Sequence, residues 1–184
     1  MRLSVFSYET QRQALEILGK LAQKDAVHPK VREAALAIVS ECKSRDDECE
    51  LTAIYEAVKH GTPLLEGLSR GVRYVADPRE MDHFTAPNRI LEQCTRGICS
   101  EDCDGHGGLI AALVTSIGFR AGLRAWGPAS KDGYTHVYAV VGVPKRRPSR
   151  VVALDTTVDE AYVGWEPPMR GFGDTPNILT AWLV

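Results

Sequence analysis

A glycine-rich segment carrying a cysteine, followed by an apolar run, constrains the fold more than any other feature of the chain. The stretch SEDCDGHGGLIAAL spans residues 100–113, and apolar residues at helical spacing continue as far as Ile117. This pattern gives a helix one broad apolar face, and Gly118 then supplies a C-terminal stop. We therefore predict a buried helix at the centre of the sequence, with its first turn built from unusually poor helix formers.

The elements on either side of this helix differ in type. Apolar residues recur at helical spacing before it, within 15–21, 31–39 and 51–58, whereas the segments FRAGLRAW, THVYAVVGV and RVVALD after it are typical of strands. Helices first and strands later predict an α+β domain with an antiparallel sheet. With no long linker or internal repeat, we expect one domain over 1–184, with a helical part over 1–66 and a sheet-bearing core over 67–184.

Composition and charge exclude some function classes. The formal net charge of −2 gives no sign of a general nucleic-acid binder, and the basic run KRRPSR (145–150) is interpreted as a solvated loop tip. No apolar segment is long enough for a signal peptide or a membrane span. We expect a cytoplasmic protein with no nucleic-acid or membrane partner. The sequence leaves the oligomeric state open.

The cysteines are expected to be reduced. Their number, five, is odd, and cytoplasmic thiols stay reduced, so both facts argue against a complete disulfide framework. We interpret Cys42 and Cys49 as small buried hydrophobic residues of the N-terminal helices. Cys94, Cys99 and Cys103 are candidates for free thiols, metal ligands or catalytic groups.

Cys103 stands at the first turn of the predicted central helix. The nearby glycines each cost a helix about 1 kcal/mol relative to alanine, which indicates close approach of another segment or of a substrate. The helix dipole and unpaired amides favour a thiolate there, but Asp102 and Asp104 oppose this effect. Activation of the thiol therefore requires a nearby imidazole.

His136 and Asp155 are the candidate partners of that thiol, because they stand at the start of one strand and the end of the next. In a hairpin that pairs Val141 with Arg150, His136 lies directly opposite Asp155 with both side chains on one face. In the alternative, which pairs Val143 with Val151, the two side chains point to opposite faces. Gly142 and the following proline favour an early strand end, so we predict the first register.

Three motifs in this order resemble the transglutaminase-like superfamily of cysteine enzymes, and in particular its small bacterial and phage-associated members. The motifs are DCDG opening an apolar helix, HVY starting a strand and LDTT ending the next. VRYVADP and GWEPP fit the same pattern, so the similarity runs from about Val31 to Pro168. The resemblance implies a papain-like core, in which a nucleophile-bearing helix packs against an antiparallel sheet.

The resemblance also implies residue roles and a reaction class. Cys103 is the nucleophile, His136 the general base and acid, and Asp155 the residue that orients the imidazole, in amide or thioester acyl transfer through an acyl-enzyme. Oxyanion donors are expected from the Cys103 backbone N–H and from Gln93. Two positions depart from the family pattern: Glu101 replaces a usual glycine and Gly105 a usual aspartate.

Other interpretations use the same residues. Cys94, Cys99, Cys103 and His106 could instead form a structural zinc site in a binding module, although their spacing is not the usual paired one. His106, one turn from the nucleophile, is the second candidate for the base. A third interpretation keeps the fold without the chemistry, as a phage-type assembly or binding protein.

Under the favoured interpretation we expect no cofactor and no required metal. Asp102 and Asp104 alone fall far short of a calcium-binding loop. The expected partner is a protein or peptide substrate, or a small amide, with a peptidase or amidase favoured over a cross-linking enzyme.

Overall fold

Helices fill the first half of the chain. The structure, a computed structural model, describes residues 10–76, 84–128, 133–167 and 176–183. The described residues form five α-helices: α1 (Gln11–Ala26), α2 (Pro29–Ile38), α3 (Asp47–Lys59), α4 (Pro87–Thr95) and α5 (Cys103–Ser116). A 3₁₀ turn covers Glu66–Leu68.

Most strands lie in the second half of the chain, and the strands within the described residues form two sheets. They are β1 (Arg73–Tyr74), β2 (Ser100–Glu101), β3 (Arg120–Gly127), β4 (His136–Val143), β5 (Arg150–Leu154) and β6 (Asn177–Trp182). The larger sheet is antiparallel with the order β5-β4-β3-β6, and β1 pairs with β2 in parallel. The expected α+β class with an antiparallel sheet is confirmed. The segment VRYVADP, one of those that carry the resemblance, lies partly outside the described residues, because the structure does not describe 77–83.

Helix α5 lies at the centre of the hydrophobic core. Residues 109–114 are each at most 1% exposed, and α5 packs against helices α1 to α4 on one side and against β3 and β4 on the other. Buried residues of α1, α2 and α3 belong to the same hydrophobic cluster as those of β3, β4 and β5. The predicted buried central helix is therefore present, with both helices and sheet covering it.

The register of the β4–β5 hairpin differs from the predicted one by two residues. Arg150 pairs with Val143 rather than with Val141, and the ladder ends where Leu154 pairs with Ala139. The prediction was wrong because Gly142 does not end the strand. A side-chain Cβ at Gly142 would lie 2.9 Å from Pro148, so this glycine allows the hairpin loop to fold back over β4.

The shift of two residues preserves the predicted face. Side chains alternate along a strand with a period of two, so only an odd shift would have separated the two candidate residues. Continuing the observed register places Asp155 opposite Tyr138, two positions from His136 and on the same face. The relation between His136 and Asp155 is therefore diagonal rather than direct.

The cysteines correct the expectation of a fully reduced protein. Cys42 is joined to Cys49 and Cys94 to Cys99, and Cys103 is the free cysteine of the five. Cys42 and Cys49 are partly exposed, so their interpretation as small buried hydrophobic residues was wrong. The Cys42–Cys49 disulfide closes a short loop before α3, and the Cys94–Cys99 disulfide closes one before β2. The spacing of the cysteines in the sequence did not identify these pairs.

This pairing predicts a simple thiol count. Protein purified without reductant and then denatured should react with one equivalent of a thiol reagent per chain, and with five equivalents after reduction. Reaction of five equivalents without prior reduction would show that neither disulfide forms in the source material.

Within the described residues, no helix combines the length and apolar character that crossing a membrane requires.

Candidate active site

Cys103 is the first residue of α5, where the chain leaves β2. Asp102 is the N-cap, and its Oδ1 accepts a hydrogen bond from the Gly105 backbone N–H at 3.0 Å. The cap fixes the start of the helix, so the thiol is held at its first turn. The Cys103 side chain is partly buried, and its Sγ lies 3.8 Å from Asp104 Oδ1.

The two departures from the family pattern are packed against each other. A Cβ added at Gly105 would lie 2.6 Å from both Cβ and Oε2 of Glu101. The Glu101 side chain thus occupies the space that a side chain at position 105 would need. This close approach explains the glycine in the first turn of α5. The large side chain at position 101 is accommodated by the missing side chain at position 105.

A double-mutant cycle tests this compensation. Gly105→Ala alone should lower the free energy of unfolding by about 1–3 kcal/mol, because the added methyl overlaps Glu101. In a Glu101→Gly background the same change should be neutral or stabilise by up to about 1 kcal/mol, through better helix propensity. Equal effects of Gly105→Ala in both backgrounds, measured by denaturant unfolding, would disprove the packing argument.

His136 and Asp155 form the closest polar contact of the site. His136 Nε2 lies 2.6 Å from Asp155 Oδ2, with the two side chains 17% and 0% exposed. Asp155 Oδ1 accepts hydrogen bonds from Thr157, at 3.0 Å from its backbone N–H and 2.8 Å from its hydroxyl. Both carboxylate oxygens are therefore occupied, and the position of the carboxylate is fixed.

The charge on Asp155 determines which nitrogen of His136 carries a proton. Burial raises the pKa of the carboxyl, but the hydrogen bond and charge of His136 and the two Thr157 donors outweigh it, and the pKa is lowered. Asp155 is thus ionised near neutral pH and can only accept. His136 Nε2 must then carry the proton, which leaves Nδ1 as the basic nitrogen.

The loop that carries Asp155 is anchored on helix α3. The Tyr55 hydroxyl donates to the Ala161 carbonyl at 2.6 Å, and Lys59 Nζ donates to the Val158 carbonyl at 2.9 Å. These contacts join residues about 100 positions apart, so the sequence pattern gave no signal for them. They hold the segment after β5 against the helical layer, which fixes the loop that begins at Asp155.

A cavity of about 210 Å³ lies between Cys103 and His136. Cys103 and His136 both line it, together with Asp102, Asp104 and Val137. Its remaining walls come from α1, from β3 and from the segments that precede α4 and β4. These residues are Gln11, Ala14, Leu15, Leu18, Phe84, Ala125, Tyr134 and Thr135. The structure thus brings all three predicted triad residues into one connected site.

The Cys103 thiol is neutral at rest. Burial is the main cause of its raised pKa, and the charges of Asp104 and Asp102 raise it further. Backbone hydrogen bonds from Val137 and from Cys103 itself act in the opposite direction but do not prevail. The sulfur therefore needs a base at the moment of reaction, rather than existing as a stable thiolate.

Gln93 lies on α4, and it is not among the described residues that line the cavity at Cys103. Its role as an oxyanion donor stays a prediction. The sequence did not single out the Val137 backbone N–H, which donates a hydrogen bond to the Cys103 sulfur. No residue-type signal could have identified a backbone donor of this kind.

The alternative zinc set is not assembled. Cys94 and Cys99 are joined in a disulfide, so neither sulfur is available as a thiolate ligand. His106 instead places its Nδ1 2.8 Å from the Thr156 hydroxyl oxygen. Among the residues that the structure describes, no group of three or more His, Cys, Asp or Glu side chains is arranged to hold a metal ion.

His106 is a buried structural residue rather than a second base. It is 1% exposed, and its Nδ1 contacts the Thr156 hydroxyl. Burial lowers its pKa to about 4, although Asp155 and the nearby Arg73 carbonyl favour the charged ring. A neutral His106 therefore ties α5, through Thr156, to the loop that carries Asp155.

This buried histidine predicts a loss of stability in acid. The folded-state pKa lies below the ordinary value of 6.5, so its contribution is complete above pH 6.5 and is lost as the pH falls to about 4. Between these values the wild type should lose about 3 kcal/mol relative to His106→Asn, which keeps a polar group in the place of Nδ1. Parallel losses in the two proteins, by denaturant unfolding at each pH, would contradict the assignment.

Two clefts are larger than the cavity at Cys103 but lack its chemistry. One, of about 750 Å³, lies between the first two helices and the end of α5, and includes Val27 and Leu36. The other, of about 780 Å³, is lined by Arg70, Arg73 and Thr157 among others. Volume alone does not identify a site, and neither cleft contains the free cysteine, so we place the candidate active site in the smaller cavity.

Comparisons with known proteins add no family assignment. A scan against protein-family models found no match, and a search of curated proteins found none either.

Proposed function

We propose that the chain is a cysteine enzyme of the transglutaminase-like type, with a papain-like catalytic core, that transfers or hydrolyses an acyl group held in an amide or thioester. The observation that carries the proposal is the buried contact of 2.6 Å between Asp155 and His136, on a histidine that shares a cavity with the free Cys103. A nucleophile, a base and a residue that orients the base are the components of covalent acyl transfer.

The first half of the proposed reaction forms an acyl-enzyme. His136 Nδ1 accepts the thiol proton as Cys103 Sγ forms a bond to the acyl carbon, and the carbonyl oxygen becomes an oxyanion. Collapse of this intermediate breaks the bond to the leaving nitrogen or sulfur, which takes the proton from His136. Asp155 stabilises the imidazolium while it exists, because its carboxylate remains ionised.

The second half restores the enzyme. Water or an amine attacks the thioester carbon, His136 accepts the proton of the attacking group, and the proton then passes to the departing sulfur of Cys103. Backbone N–H groups at the first turn of α5 are the proposed oxyanion donors, and Gln93 is the proposed side-chain donor. The proposed substrate is a protein, a peptide or a small amide, and hydrolysis is favoured over cross-linking.

Trapping the covalent intermediate tests this proposal. p-Nitrophenyl acetate supplies a reactive acyl group, and peptide mass spectrometry after a rapid quench shows which side chain carries the acetyl. The proposal predicts a transient acetyl group on Cys103 that is lost faster when a primary amine is added. Acetylation confined to lysines, or a stable adduct that neither water nor amine removes, would reject the proposal.

One observation favours a second candidate, a non-catalytic assembly or binding protein that retains the fold. Burial and two flanking aspartates raise the pKa of the Cys103 thiol, which disfavours the form that attacks. This candidate predicts no acetylation of Cys103 above the rate of an ordinary thiol at the same pH.

We propose a cytoplasmic location. The two disulfides argue against it. Disulfides persist mainly in oxidising compartments, so the thiol count of protein taken from its native source bears directly on the location.

A further inference from the structure

Gln11, the first residue of α1, pairs through its side-chain amide with the backbone just before β4. The Tyr134 backbone N–H donates to Gln11 Oε1 at 2.9 Å, and Gln11 Nε2 donates to the Tyr134 carbonyl at 3.0 Å. The amide thus forms both hydrogen bonds that a neighbouring strand would form with one residue. We call this pair of hydrogen bonds the Gln11 clamp.

The clamp acts on the segment that delivers the histidine. His136 is the first residue of β4, and its pairing with Trp126 is the last of the β3–β4 ladder. Before that point the Thr135 backbone N–H donates to the Trp126 carbonyl at 2.8 Å, and the Gln11 clamp holds Tyr134. On the other side the β5 ladder reaches only Ala139, so it does not fix this end of β4.

A glycine next to the clamp makes the approach of Gln11 possible. Gly133 has a φ of +89°, a backbone conformation that L side chains rarely adopt. A Cβ at this position would lie 2.5 Å from Gln11 Oε1. The conformation and the absence of a side chain at Gly133 therefore both serve the contact between α1 and this segment.

The clamp lies at the site but outside the reacting groups. Gln11 and Tyr134 line the same cavity as Cys103 and His136, and both polar ends of the Gln11 amide are bonded to Tyr134. We propose that Gln11 is a positioning residue for the acyl transfer proposed above: it holds the start of β4 so that His136 Nδ1 is directed at the Cys103 thiol. This inference rests on the proposed function.

A double-mutant cycle between Gln11 and His136 tests the inference. In the wild-type background Gln11→Ala should slow acetylation of Cys103 by p-nitrophenyl acetate at pH 7 by about 10- to 100-fold, because a displaced base loses its alignment. In a His136→Ala background the same change should have no effect, since there is no base left to position. Arg12→Ala, an exposed change at the next residue, is the matched control and should react at the wild-type rate.

Two further measurements separate positioning from folding. Amide hydrogen exchange at Tyr134 should be faster in Gln11→Ala than in Arg12→Ala, which shows that the clamp exists in solution. Gln11→Glu keeps an acceptor for the Tyr134 N–H but loses the donor, and its acetylation rate should fall between those of the wild type and Gln11→Ala.

The outcomes are distinguishable. If Cys103 is acetylated in the wild type and Gln11→Ala does not change the rate, the role of Gln11 is disproved but the proposed function is not. The same holds if Gln11→Ala slows acetylation equally in the wild-type and His136→Ala backgrounds. A wild type that is not acetylated at Cys103 overturns the proposed function and the inference with it.

Discussion

A Cys103→Ala variant is expected to lose acyl transfer entirely while keeping its fold. The rate of p-nitrophenyl acetate turnover should fall by more than about a thousandfold, to the level of the uncatalysed reaction, because no other described thiol is free to form the acyl-enzyme. The side chain is only partly buried and stands at the first turn of α5, outside the hydrophobic cluster. We therefore expect the melting temperature to change by at most about 3 °C, which corresponds to about 1 kcal/mol for a chain of this length.

Cys103→Ser is the matched control for this loss. It retains a hydroxyl of similar size beside Asp104 and the Val137 backbone N–H, but an alcohol is a far weaker nucleophile than a thiol in this setting. It should be as inactive as Cys103→Ala and at least as stable. Residual turnover in both variants, with the acetyl group on another residue, would move the nucleophile away from Cys103.

Asp155→Asn is expected to affect both activity and stability. The carboxylate is fully buried and accepts from His136 and twice from Thr157, so an amide at this position must turn its NH₂ group toward one of these donors. The acylation rate should fall by about 10²–10⁴, because the imidazole loses both its orientation and the charge that stabilises it. The free energy of unfolding should fall by about 2–4 kcal/mol, the cost of disrupting the hydrogen bonds of a buried carboxylate.

Thr157→Val provides a graded comparison, since it removes the hydroxyl donor but leaves the backbone N–H on Asp155. Its losses should be smaller than those of Asp155→Asn in both activity and stability.

The ionised Asp155 also gives the stability of the protein a defined dependence on pH. Because its folded-state pKa is lowered, its contribution to stability is present above the ordinary carboxyl pKa and is lost as the pH falls through the folded value. Asp155→Asn should lack this loss, and an identical dependence of stability on acid pH in wild type and variant would contradict an ionised Asp155.

The elements predicted from local patterns are those whose signal lies within a few residues. The apolar spacing of 109–117 identified the central helix, and alternation with β-branched residues identified β3, β4 and β5. Strand β6 was missed because its pairing with β3 joins residues 50 to 60 positions apart and its flanking segment is rich in glycine and proline. Helix α4 was missed as well, since nine residues after Ala86 give too short a run for a periodic pattern.

The site was predictable in outline because strand geometry tolerates an error of two residues. The wrong register still placed His136 and Asp155 on one face, and their side chains are long enough to meet diagonally. The disulfides were not predictable in the same way. Their formation depends on how Cys42 approaches Cys49, and Cys94 approaches Cys99, in the folded chain, whereas the expectation rested on the compartment.

The packing around the three candidate residues could not be predicted from the sequence for a different reason. Glu101 against Gly105, Tyr55 against Ala161 and Gln11 against Tyr134 are each contacts of one particular geometry. Glutamate, tyrosine and glutamine are ordinary residues at exposed or helical positions, so no composition or spacing distinguishes the ones that hold a site together. These contacts can be recognised only in the folded structure.

Whether His136 acts as the base for Cys103 can be measured from the pH dependence of Cys103 acetylation in the wild type and in His136→Ala. The thiol is neutral at rest, so without the imidazole its reaction depends on hydroxide and should speed up about tenfold per pH unit. The wild type should react at least about a hundredfold faster than His136→Ala at pH 7, and this difference in rate should narrow steadily as the pH rises to 9. Equal rates at pH 7, or a gap that does not change with pH, would show that His136 does not activate this cysteine.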